Sequence, residues 1–139
     1  MIDYRKYRKS LQHLEAQFRN YRCLDTRDTL LELDREGVSE SVIHRFEICY
    51  DCLWKTLKRY LREALGIPDL PNSPKPVLRI AFENHLLAAI EPWLFYADAQ
   101  VGTSHDYSET KARDSLVRIG DFIKDALALY CRMTGEPWE

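Results

Sequence analysis

Apolar residues recur along this chain in alternating steps of three and four, the mark of helices that bury one face. Tyr4, Tyr7, Leu11, Leu14, Phe18 and Tyr21 are spaced 3, 4, 3, 4 and 3, which predicts a helix from about Asp3 to Tyr21. Its other faces carry Arg5, Lys6, Arg8, Lys9, Glu15 and Arg19, a run that reads as a solvated face, with weak anion binding as the alternative. Asp25 to Glu36 reads as a short helix that Gly37 stops, and Ser39 as the N-cap of the next. From Ser39 to Leu65, Val42, Phe46, Cys49, Leu53, Leu57, Tyr60 and Ala64 keep helical spacing. A second row of Ile43, Tyr50, Trp54 and Leu61 widens that apolar face, which marks a central helix touching neighbours on two sides.

Gly66 ends this helix, and Pro68, Pro71, Pro74 and Pro76 predict an extended crossover between Gly66 and Val77. A third helix is expected from about Val77 to Ile90. Glu91-Pro92 then restarts a short one that carries Trp93, Leu94 and Tyr96 and fades near Gly102. Gly102 to Ser108 reads as a polar turn. Asp106 or Ser108 caps a last helix that runs to about Met133, and Asp106 with Glu109 has capping-box spacing. Its inward residues are Leu116, Ile119, Phe122, Ile123, Ala126, Leu127 and Tyr130, and Gly135 and Pro137 end it. No strand alternation or hairpin dipeptide competes. The expected fold is all-α, an up-and-down bundle of four to five helices forming one domain over residues 1–139.

Composition narrows the chemistry. Twenty Lys and Arg against 22 Asp and Glu give a net charge of −2, which argues against a dedicated DNA-coating protein. Only 5 Gly are present, and none forms a Gly-rich phosphate loop. No apolar run approaches the ~20 residues of a membrane span. The basic N-terminal stretch Met1–Ser10 has no apolar segment behind it to make a signal peptide, so a cytoplasmic location is expected. Cys49 and Cys52 form a C-x-x-C inside a helix, without a second pair at zinc spacing. They read as small buried side chains in a reducing compartment, with redox or zinc chemistry as the alternative. No metal-ligating carboxylate pair, zinc motif or nucleophile elbow is present.

Of the four His, His13, His44 and His85 lie on predicted helical surfaces or boundaries. His105 lies in the polar turn with Thr103, Ser104, Asp106 and Tyr107. A polar cluster at a helix junction serves either as a set of caps for the next helix or as a site in which His exchanges protons. The same turn, at a helix N-terminus, is a weak pointer to a phosphate and so to a nucleotide or RNA ligand.

Two stretches carry a family resemblance. Ile43 to Asp51, followed by Leu53-Trp54-Lys55 and Leu57 to Leu61, is one. Trp93-Leu94-Phe95-Tyr96, then Thr103 to Tyr107 and Glu109, is the other. Together they resemble the nucleotidyltransferase substrate-binding proteins of bacteria, within the wider HEPN superfamily. The resemblance implies a helical bundle like the substrate-binding half of an aminoglycoside nucleotidyltransferase. It also implies a homodimer whose partner is a minimal nucleotidyltransferase. That partner carries the nucleotide and magnesium, and this chain has no cofactor or metal of its own. It presents an acceptor site near Gln100, Thr103, Ser104, His105, Asp106 and Tyr107.

Related pairs act as toxin and antitoxin, the HEPN chain being a metal-independent RNase that its partner silences by adenylylating a tyrosine. The RNase pattern places His105 as the catalytic residue and Tyr107 as the modified one, but its Arg position falls on Gln100. A neutral amide does not stabilise a charged phosphorane as a guanidinium does, and losing one such group costs about 10²–10³ in rate. The binding-subunit reading is therefore preferred, with the RNase toxin as its alternative. Arg45, Phe46, Glu47 and Trp54 are expected to be structural, in the core or at a dimer interface.

Overall fold

A computed structural model describes the backbone of residues 2–27, 29–105 and 109–138, and the side chains of 2–27, 29–99 and 114–138. The described residues form five α-helices and no strand: α1 (Arg5–Arg22), α2 (Glu32–Glu63), α3 (Pro74–Glu83), α4 (Glu91–His105) and α5 (Glu109–Thr134). A single 3₁₀ turn, Leu24–Thr26, follows α1. The all-α expectation holds. Helix α1 lies along α2, α5 packs against α1, α2 and α4, and α3 closes the bundle against α2 and α4. Among the described residues no helix is long and apolar enough to cross a membrane.

The heptad-like stripes become the core. Tyr7, Leu11 and Leu14 of α1 meet Val42, Phe46, Cys49, Leu53 and Leu57 of α2 and Phe122 and Ala126 of α5, all essentially without exposure. The Tyr7 hydroxyl donates to the Ala126 carbonyl at 2.7 Å and so ties α1 to α5 by a buried bond. Its ring meets Tyr130 edge-on at 5.7 Å.

Four local expectations are corrected. First, the predicted helix over Asp25–Glu36 does not exist as a separate element: α2 starts at Glu32 and continues through Gly37. Glycine inside a helix costs only about 1 kcal/mol relative to Ala, whereas ending and re-nucleating a helix forfeits a whole turn of hydrogen bonds. Asp34 accepts the Leu31 N–H at 3.2 Å, and Glu32 and Asp34 place negative charge in the first turn. Ser39 is no cap but donates its hydroxyl back to the Arg35 carbonyl at 3.2 Å. At about 1.5 Å per residue α2 is about 48 Å long. Its N-cap Leu31 and Leu33 of its first turn have 70% and 76% of their surface exposed.

Second, α3 starts at Pro74 rather than Val77. Both Pro74 and Pro76 fall in its first turn, where the N–H they lack has no intrahelical acceptor anyway.

Third, α3 stops at Glu83 rather than reaching Ile90. His85 adopts φ 64. Its N–H bonds the Phe82 carbonyl at 3.0 Å, and the Leu86 N–H bonds that of Ala81 at 3.0 Å. This pairing closes a helix through a left-handed residue, a place normally held by glycine. The exposed His85 keeps it because Arg132 of α5 donates to its carbonyl at 2.8 Å. That bond survives substitution, so His85→Gly is expected to stabilise the fold by about 1 kcal/mol. Thermal melts should show Tm rising by about 3 °C; a fall would mean that the imidazole contributes a contact.

Fourth, α4 does not fade at Gly102 but continues to His105. Thr103, Ser104 and His105 are therefore helical, not part of a turn. Trp93, Tyr96 and Ala97 are buried and hold α4 on the bundle, which makes propagation through one glycine inexpensive.

Candidate functional site

The junction between α4 and α5 is the candidate site, and the described residues show what holds its two flanks. Phe122 of α5 is the hub. Phe46 meets it edge-on at 4.9 Å, Tyr96 at 5.4 Å and Trp93 at 6.1 Å. Tyr96 of α4 donates its hydroxyl to the Asp125 carboxylate of α5. Burial, and then this hydrogen bond, push the Tyr96 phenol well above its ordinary value, so it stays a neutral donor. Asp98 of α4 pairs with Lys75 of α3 at 2.6 Å. On the outer side, the Arg118 guanidinium lies 4.4 Å from the centre of the half-exposed Phe95 ring, a second link from α5 to α4.

Tyr50 of α2 reaches the same cluster, 6.4 Å from Phe122. It is 2% exposed, and its hydroxyl has no hydrogen-bond partner among the described residues. Burial, and then the Asp98 carboxylate, raise its phenol as well. A buried hydroxyl left unbonded costs about 1–3 kcal/mol, and among the described residues nothing offsets that cost at Tyr50.

Sequence-predicted residues divide into those the structure places and those it leaves outside. The backbones of Gln100, Thr103, Ser104 and His105 belong to α4. Their side chains, and Asp106 and Tyr107 altogether, lie outside the described residues. Phe46 and Trp54 are core residues, 1% and 8% exposed. Arg45 and Glu47 are half-buried and line different grooves on α2. Side chains two apart on a helix do not face each other, so the pair is not a local one. Arg45 instead donates to His13 Nδ1 of α1 at 3.2 Å. The C-x-x-C has no catalytic thiol at its first position: Cys49 is fully buried, and burial pushes its thiol up to about 12. All four cysteines are free.

Reading the charged face of α1 as solvated, with weak anion binding as the alternative, did not bring out the groove that Lys6, Lys9 and His13 form with Arg45. The signal was present as matching spacings, 6, 9 and 13 on one helix and 45, 48 and 52 on the other. Which two faces meet is a tertiary fact. A larger groove, of about 470 Å³, runs between α1 and α5 over Phe18 and Gly120 and carries both charge signs, from Glu15 and Asp121 to Arg19 and Lys124.

Similarity to known proteins bears on the whole chain. The sequence model of the family described as nucleotidyltransferase substrate binding protein like matches residues 2–135. No curated protein matches. Among solved structures, HI0074 from Haemophilus influenzae superposes with a TM-score of 0.84 at 23% identity, covering 95% of this chain and 99% of that one. Its structure is described as revealing the fold of a substrate binding domain of a nucleotidyltransferase. The protein ttk003001694 from Thermus thermophilus superposes with a TM-score of 0.68 at 28% identity, over 86% of this chain and 98% of that one. The superpositions show a shared helical fold, and the sequence match spans nearly every residue that builds it: the chain belongs to the nucleotidyltransferase substrate-binding-protein-like family.

Proposed function

We propose that this chain is the non-catalytic, substrate-binding subunit of a two-component nucleotidyltransferase. In this reading a small partner chain holds magnesium and the nucleotide, and the helical bundle, as a homodimer, holds the acceptor beside them. The observation that carries it is the family match over residues 2–135. The likeness of the five-helix bundle to a fold described for a nucleotidyltransferase substrate binding domain supports the same division of labour.

The bundle's share of the chemistry is positioning. Holding an acceptor hydroxyl in line with a nucleotide's α-phosphate converts a bimolecular encounter into a local one, an advantage of about 7–11 kcal/mol at best. The α4–α5 junction is the acceptor-facing surface in this reading, with Gln100, Thr103, Ser104, His105, Asp106 and Tyr107 supplying its polar groups. The aromatic hub around Phe122 and the Tyr96–Asp125 bond keep its two flanking helices in fixed register.

A tagged pull-down from the native host, with intact-mass measurement of the bait, tests the proposal. Stoichiometric recovery of a small nucleotidyltransferase with an unmodified bait is expected. Its absence from cells that express both chains would remove the reading. Nucleotidyl mass on Tyr107 would make this chain the acceptor rather than its holder.

A further inference from the structure

Between α1 and α2, away from the aromatic hub, runs a groove of about 270 Å³ lined by Lys6, Lys9, His13 and Arg45, with Ile48 and Cys52 in its wall. Only Ser10 completes the described lining, so no carboxylate contributes to it. That is unexpected in a chain with 22 acidic and 20 basic residues. The contrast with the neighbouring Arg5 is direct. Arg5 is neutralised by Asp3 through bonds of 2.9 and 3.0 Å from its guanidinium, and so is not offered to a ligand.

Lys6 and Lys9 also stand against the helix dipole. Lys6 sits in the first turn of α1 and Lys9 in the second, and the Asp3 carboxylate that accepts the Arg5 N–H ahead of them is shared with the Arg5 guanidinium. Positive charge near a helix N-terminus opposes the helix dipole. An anion in the groove relieves both that repulsion and the mutual repulsion of the cations. Arg45 and His13 line the groove and are bonded to each other. Arginine is always a donor, so His13 Nδ1 accepts its hydrogen bond, and the remaining guanidinium N–H groups and the His13 Nε2–H stay as donors. Ile48 is 43% exposed and adds an apolar ledge beside the charges.

We propose that this groove binds the phosphate groups of a small polyphosphate ligand, a nucleoside triphosphate or a molecule of like charge. The site rests on the α1–α2 geometry and stands whether or not the two-component reading does. A confined groove with one cluster of cations fits a compact polyphosphate. A nucleic-acid strand needs an extended basic track with stacking rings along it, and the lining has no aromatic residue.

Calorimetry of the full chain with sodium tripolyphosphate, in low salt without magnesium, is the first test. Saturable binding is expected, weakened about tenfold or more in Lys6→Ala/Lys9→Ala. Both lysines are exposed, so the variant keeps its fold, which circular dichroism verifies. Lys124→Ala, in the α1–α5 groove, is expected to bind as wild type does. Alkylation by N-ethylmaleimide locates the site: tripolyphosphate should slow the modification of Cys52 severalfold and leave the exposed Cys23 unchanged. Tighter binding of ATP than of tripolyphosphate would show that the base and sugar use the Ile48 ledge, and equal binding that the phosphate chain suffices. No saturable binding, or binding indifferent to Lys6 and Lys9, overturns the proposal. Binding of an RNA oligonucleotide with no response to either small anion overturns it as well.

Discussion

Phe122→Ala is expected to cost about 3–5 kcal/mol of stability, the largest effect of any single truncation in this bundle. The ring is wholly buried and touches aromatic side chains of α2 and α4 from its place on α5. Removing it forfeits the transfer free energy of a phenyl group and leaves a cavity that Phe46, Tyr96 and Trp93 cannot all collapse into. The edge-on pairs add about 0.5–1.5 kcal/mol each, not additively. A domain of this size has about 5–15 kcal/mol in total, so the variant stands at the edge of unfolding at room temperature. Urea titration should show a sharply lower midpoint. Phe122→Leu, which keeps most of the volume, should lose much less. Because Trp93 and Tyr96 anchor α4 through this ring, the α4–α5 junction should lose amide-exchange protection before the α1–α2 pair does. A Phe122→Ala midpoint within about 1 kcal/mol of wild type would show that the ring is not a hub.

Alkali is expected to unfold the chain between about pH 10 and 12. The cause is a set of neutral acids that the fold keeps out of water. Burial raises the Tyr7 phenol well above 10.0 and takes the Cys49 thiol from 9.0 to about 12. A group whose folded value lies above its unfolded value contributes stability that is complete below the unfolded value and is lost as pH climbs towards the folded one. Each pH unit above the unfolded value costs about 1.4 kcal/mol per group. Tyr7 and Cys49 together therefore remove roughly 4 kcal/mol by about pH 11. Tyr50 and Tyr96 act in the same direction. Far-UV circular dichroism across this range reads the loss. Tyr7→Phe gives the discriminating comparison. At neutral pH it loses the bond to the Ala126 carbonyl and should be about 1 kcal/mol less stable. With no phenol to ionise, it should close that gap as pH passes 10. A melting temperature flat from about pH 8 to 11 would contradict the burial of these groups.

Much of this protein was legible in its sequence because helical burial is periodic. The α1 stripe predicted its buried residues, Tyr7, Leu11 and Leu14, directly. The two apolar rows of α2 predicted a helix packed on more than one side, and it contacts α1, α3, α4 and α5. Gly66 and Gly135 were legible as helix ends, and both adopt positive φ, 68 and 72. The residues that resembled a nucleotidyltransferase substrate-binding family led to the right family.

Helix boundaries were less legible. A lone glycine or proline has a local cost of a few kcal/mol at most, and packing elsewhere along the helix decides whether that cost is met. Gly37 and Gly102 therefore lie inside α2 and α4; Pro74 and Pro76 open α3, where the N–H they lack has no intrahelical acceptor, and His85, read as a surface or boundary residue, follows directly on its end. The polar turn expected from Gly102 does not begin there, since the buried anchors of α4 hold Thr103 to His105 helical.

Sequence by itself thus determined the fold class and which faces turn inward, because these follow from residue type and period along one dimension, and the resemblance of two short stretches led to the family. Which outward faces come together was decided only in three dimensions. Lys6, Lys9 and His13 meet Arg45 across 32 or more positions of chain, and nothing in either segment names the other. Helix packing brings like charges together there, and the bundle tolerates their repulsion because its stability resides in the apolar core on the opposite side of the same two helices.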